Sequence, residues 1–145
     1  MKIRQIAIFM ENKPGHIMGI CRILADAGIS ITTLSLADTQ QYGILRLIVN
    51  QWEKAAETLE KAGYVVNITE VLAVEVEDKP GGLLQVLEII RSGDINVEYM
   101  YAFTFRHGEK AVMVFRFNDP DKAIELLAKS RVKVLDGVAL FKEMH

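Results

Sequence analysis

With a single cysteine, the chain has no means of forming an internal disulfide, and no cysteine–histidine cluster carries the spacing of zinc ligands. That cysteine, Cys21, sits among apolar residues of an expected helix and reads as a buried, inert thiol. An excess of positive charge is also missing. Lysine and arginine number 17 against 19 aspartates and glutamates, a net charge of −2, so the field that nucleic acid demands is absent. No apolar run approaches the ~20 residues of a membrane span. The opening Met1–Ile8 alternates polar and apolar residues and lacks the apolar core of a secretory leader. The expectation is a cytoplasmic protein that engages neither membrane nor nucleic acid. Prolines are scarce as well, three in 145 residues, and two of them head the same short motif.

That motif marks an internal repeat. Asn12-Lys13-Pro14-Gly15-His16-Ile17 matches Asp78-Lys79-Pro80-Gly81-Gly82-Leu83 without a gap. Upstream, Ile6, Ile8 and Met10 correspond to Leu72, Val74 and Val76; downstream, Ile20 and Leu24 correspond to Val86 and Ile90. Ile29-Ser30-Ile31 then matches Ile95-Asn96-Val97. After two extra residues in the second copy, Leu45, Leu47 and Val49 align with Met113, Phe115 and Phe117. Lys54-Ala55 aligns with Lys122-Ala123, and Leu59 with Leu127. The copies span residues 1–69 and 70–145, with almost no linker.

Each copy reads as βαββαβ. Alternation predicts strands at Ile3–Met10 and Val71–Glu77, each broken by Pro-Gly. Apolar residues at helical spacing follow, Ile17, Ile20 and Leu24 in one copy and Leu83, Val86 and Ile90 in the other, closed by Gly28 and Gly93. Two strands come next, Ile29–Ala37 with Ile44–Val49 and Ile95–Phe105 with Lys110–Phe117, joined at Gln40–Gly43 and Arg106–Glu109. Helices at Trp52–Ala62 and Pro120–Lys129 lead to last strands at Tyr64–Thr69 and Val132–Leu135. This order implies an α+β fold: two ferredoxin-like modules, each an antiparallel four-stranded sheet with both helices on one face. On the opposite face Ile44 and Ile48, and in the second copy Val112 and Val114, are apolar where water is expected. Such a face calls for cover, by pairing within the chain and in a homodimer.

The Pro-Gly loops are the candidate ligand sites. The first N–H groups of a helix lack internal acceptors and favour an anion such as a carboxylate. Gly15, Gly81 and Gly82 let backbone approach a ligand, and Asn12 and Asp78 are placed to cap the loop or hold an amino group. The same residues equally make a tight strand-to-helix turn, and spacing alone leaves both readings open. Neither copy carries a phosphate-loop or dinucleotide pattern.

The arrangement of strand, Asx-Lys-Pro-Gly, helix, glycine and Ile-x-Ile/Val strand resembles the ACT domain family, twice and over nearly the whole chain. The resemblance implies regulatory ferredoxin-like modules that bind amino acids where two modules meet. The loop and helix start of one module then face the second strand of its neighbour. Carried onto this chain, it nominates Asn12, Pro14, Gly15, His16 and Ile17 with Ile29 and Ser30. In the second copy it nominates Asp78, Pro80, Gly81, Gly82 and Leu83 with Ile95 and Asn96. Asn12 departs from the family's more usual Asp, and His16 against Gly82 and Ser30 against Asn96 suggest that the two sites have diverged.

The remaining candidates read as structural. His16 either meets a ligand carboxylate or lies on the surface; His107 and His145 read as solvated, with no triad partner near in sequence. Asp119 and Asp121 favour a helix start over a metal. Tyr99-Met100-Tyr101 with Phe103 and Phe105 reads as sheet or interface packing, not base stacking, and Trp52 as packing over its module's edge. The expectation is therefore an amino-acid-binding regulatory protein without cofactor, metal or catalytic residue, acting as a homodimer. The alternative is a regulatory subunit of an amino-acid biosynthetic enzyme. A small enzyme using His16 or Asp78 ranks last, because no nucleophile–base pair is visible.

Overall fold

The structure is a computed structural model that describes residues 2–11, 13–38, 41–103 and 108–137. It divides into two compact units, Arg4–Thr69 and Glu70–His145, the latter joined by Met1–Ile3.

The unit Arg4–Thr69 holds β1 (Ile3–Glu11), α1 (His16–Asp26), β2 (Ile31–Asp38), β3 (Tyr42–Val49), α2 (Trp52–Lys61) and the first part of β4 (Val65–Glu77). Its strands lie in the order β4-β1-β3-β2. β3 runs antiparallel to β1, with Ile6 opposite Leu47, and to β2, with Leu34 opposite Leu47. Each helix buries one stripe four residues apart, Ile20 with Leu24 and Ala55 with Leu59. These meet Ile6, Ile8, Leu45 and Leu47 in one core. Trp52 packs on the edge of that core, with the Arg4 guanidinium 5.9 Å from the centre of its ring. The Gln5 amide, fully buried, donates to the Thr69 hydroxyl at 2.9 Å.

The second unit repeats the plan with the rest of β4, α3 (Gly82–Ser92), β5 (Val97–Ala102), β6 (Lys110–Phe117), α4 (Pro120–Ala128) and β7 (Val134–Leu135). Its order is β7-β4-β6-β5, the same permutation. The helix stripes fall on the aligned positions, Val86 with Ile90 and Ala123 with Leu127. Phe115 and Phe117 stack at 5.2 Å and fill the place held by Leu47 and Val49 in the first copy.

The structure departs from the sequence reading in several places. Tyr64–Thr69 and Val71–Glu77 are not two strands: β4 is continuous over 13 residues, since no glycine or proline interrupts it. β2 starts at Ile31 and β5 at Val97, so Ile29, Ser30, Ile95 and Asn96 precede their strands. Cys21 is half-buried, not buried. Of the residues expected on the faces turned from the helices, Ile48, Val112 and Val114 are buried, whereas Ile44 is half-buried. Phe105, Arg106, His107 and His145 lie outside the described residues.

Candidate functional site

Both Pro-Gly loops take one conformation. Gly15 and Gly81 precede α1 and α3 with φ of 86° and 84°, a left-handed geometry that disfavours any residue with a Cβ. A Cβ at either position would meet no atom within 4 Å, so glycine is required there by conformation, and the space beside the loop is open. His16 N–H donates to the Lys13 carbonyl at 3.3 Å, and Gly82 N–H to that of Lys79 at 3.0 Å. One ion pair flanks each loop, Glu11–Lys13 at 2.6 Å and Glu77–Lys79 at 2.7 Å. Hydrogen bonding to Lys13 and Lys79 holds both carboxyls below their ordinary range and raises both lysines.

The starts of α1 and α3 differ from those of the other two helices. Among the described residues neither is capped by the side chain of its N-cap residue, a glycine in both, and neither has an acidic residue in its first turn. α4, in contrast, begins with the Asp119 carboxylate accepting from Lys122 N–H at 3.1 Å, and carries Asp121 in its first turn. α2 has Glu53 there. The His16 and Gly82 N–H groups are taken up by the Lys13 and Lys79 carbonyls, and no acidic side chain stands in either first turn to offset the helix-end charge of the rest.

The nominated residues fall into two groups. Pro14, Gly15 and His16, and likewise Asp78, Pro80 and Gly81, gather at the helix starts, with Ile17 and Leu83 half-buried against the cores. Ile29, Ser30, Ile95 and Asn96 follow the far ends of α1 and α3. Each of these helices has 11 residues, about 16 Å at the helical rise. A single module therefore does not bring its own loop and strand residues together. Ile29 and Ile95 are buried in the cores, which leaves only their backbone for contact. Asn96 is tied to Asn118, its N–H donating to the Asn118 amide oxygen at 2.9 Å and its carbonyl accepting from Asn118 N–H at 3.2 Å. Asn12 lies outside the described residues.

Gly82 has a role that spacing did not reveal. A Cβ on it would stand 1.9 Å from the Glu77 carbonyl oxygen, so α3 starts tight against the end of β4. Beside it opens a cavity of about 240 Å³ whose charged lining is Glu75, Glu77, Lys79, Lys110, Arg131 and Lys133. Beyond Lys79 of the loop motif the sequence reading did not assign these residues to a site, yet the repeat held the signal. Glu75, Lys110, Arg131 and Lys133 align with the uncharged Phe9, Tyr42, Gly63 and Val65 of the first copy. Among the described residues no group of three or more histidine, cysteine, aspartate or glutamate side chains is placed to hold a metal ion. No helix of the described residues is long and apolar enough to cross a membrane.

The family described as ACT domain pair matches residues 1–144. No curated protein matches the chain. Among solved structures, protein BT0572 from Bacteroides thetaiotaomicron is 34% identical, with a TM-score of 0.90 over 98% of this chain and 97% of that one. The regulatory subunit of aspartate kinase from Thermus thermophilus shares the fold at 16% identity and a TM-score of 0.63, covering 87% of this chain and 91% of that one. The corresponding subunit from Thermus flavus does so at 14% identity and a TM-score of 0.60, over 98% and 92% of the two chains.

Proposed function

Because the chain belongs to the ACT domain pair family, we propose that it is a regulatory protein that binds an amino acid at its Pro-Gly loops and catalyses no reaction itself. The observation that carries this reading is the pair of uncapped helix starts. At Gly15 and Gly81 the left-handed loop leaves open space where a Cβ would stand, and the helix that follows has neither a cap from that residue nor an acidic residue in its first turn, which suits an α-carboxylate at the N–H groups beyond those of His16 and Gly82. Asn12 and Asp78 are the candidates for the amino group. Ser30 and Asn96 lie about a helix length from their own loops, so the wall facing each loop comes from another module, as in a homodimer. His16 and Gly82, with Ser30 and Asn96, give the two sites different linings.

The reading places the protein in the cytoplasm. The bound state is passed on through a changed assembly or to a partner, for which an amino-acid biosynthetic enzyme is the fitting class. Calorimetric titration of the full chain with each common amino acid tests the binding. At least one is expected to bind, and G15V and G81V, which disfavour the left-handed loop, are expected to weaken it. A folded dimer that responds to none of them overturns the proposal.

A further inference from the structure

We infer that the cavity beside the second Pro-Gly loop is a separate site for a small dianion, a phosphate group or a dicarboxylate, held by Arg131 and Lys133. Its charged lining does not cancel. Glu77 is engaged by Lys79 at 2.7 Å, and Glu75, with a side chain 8% exposed, lies 3.8 Å from Lys110. Among the described residues Arg131 and Lys133 have neither an ion pair nor a side-chain hydrogen bond. Two cations of the lining are thus left over. Gln85 adds an amide donor to the lining.

The backbone has changed to place Arg131. In the first copy Gly63 follows the C-cap of α2, and its φ of 95° is the glycine geometry of a helix exit. In the second copy Ser130 holds the exit instead: its hydroxyl donates to the Leu127 carbonyl at 2.7 Å and accepts from Val132 N–H at 3.1 Å. The position of Gly63 is thereby open to a side chain, and it is Arg131. A volume of about 240 Å³ lies below the ~300 Å³ at which pockets for drug-sized ligands begin, so the occupant is compact. Arginine meets a phosphate or carboxylate through two parallel N–H bonds, and Lys133 supplies the point charge for the second anionic oxygen.

The test is titration of the full chain with inorganic phosphate, succinate and acetate. Phosphate or succinate is expected to bind at least about tenfold more tightly than acetate, and less tightly as salt rises from about 20 mM to about 150 mM. Binding of phosphate alone assigns a phosphoryl ligand, and of succinate alone a dicarboxylate. The R131Q/K133Q variant is expected to lose at least about tenfold, whereas K61Q on α2 leaves the affinity unchanged. Both substituted residues are exposed, so the variant is expected to keep the parent Tm; R131Q alone serves if it does not. Dianion affinity no better than that for acetate, or unaltered in the variant, overturns the inference while leaving the amino-acid reading standing.

Discussion

Gly82 and Asp94 show how single residues separate two copies of one plan. Gly82 aligns with His16, yet the backbone tolerates no side chain there, because a Cβ would meet the Glu77 carbonyl oxygen at 1.9 Å. Backbone does not yield as a side-chain end does, so Gly82→Ala is expected to cost about 2 kcal/mol or more, read by urea denaturation. Asp94 aligns with Gly28 and takes the same left-handed role, with φ of 56° against 73°. Relief of about 1–2 kcal/mol from that conformation, less about 0.5–1 kcal/mol for glycine's chain entropy, leaves Asp94→Gly stabilising by about 0.5 kcal/mol. The loop ion pairs give a pH prediction. Glu77 is held below its ordinary 4.5 by Lys79, so the contribution of the pair is complete above that value and fades as pH falls through the lowered one. Lys79 is raised above 10.5, so on the alkaline side the contribution fades as pH rises through the raised value. K79Q is therefore expected to lower the Tm at neutral pH. The difference should shrink in high salt and vanish in acid.

At the scale of elements, what governs each helix is how its ends are satisfied. The first turn of α4 is closed by a side chain, and Asp119→Ala is expected to cost about 1 kcal/mol in thermal unfolding. The corresponding positions before α1 and α3 are glycines in the left-handed region, which offer no side chain to cap the first turn. Much of this was legible in advance. The repeat, the helix stripes and the alternation of Leu45 and Leu47 with Arg46 follow from periodicities that a folded core enforces. The unbroken β4 was legible too, since Val65–Glu77 holds no breaker, but reading the copies as separate modules hid it. Other features depend on contacts distant in sequence. Gly93 looked like the counterpart of Gly28, but its φ is −98°, and a Cβ on it would meet the Leu126 side chain at 2.2 Å. The start of β5, just past Asn96, is likewise set by tertiary bonds, those of Asn96 with Asn118. The charged cavity needed residues more than 50 positions apart, Glu75 and Arg131, to be seen as neighbours.

For the whole molecule, duplication raises the question of whether two modules mean two equal responses. The shared parts are those that make the loop: Lys-Pro-Gly, the left-handed glycine and the flanking Glu–Lys pair. The parts that would touch a ligand differ, with His16 half-buried at one helix start and a buried glycine at the other. Sites with a common frame and different linings do not share one affinity. Calorimetry of the full chain is expected to resolve two classes of amino-acid site, or one site per chain if one copy has lost binding. Light scattering is expected to give about twice the chain mass of 16.3 kDa. G15V and G81V divide the signal between the copies, each removing one class and sparing the other. Two equivalent sites per chain, each weakened alike by either variant, would show that the differences in lining carry no selectivity and that the copies act as one.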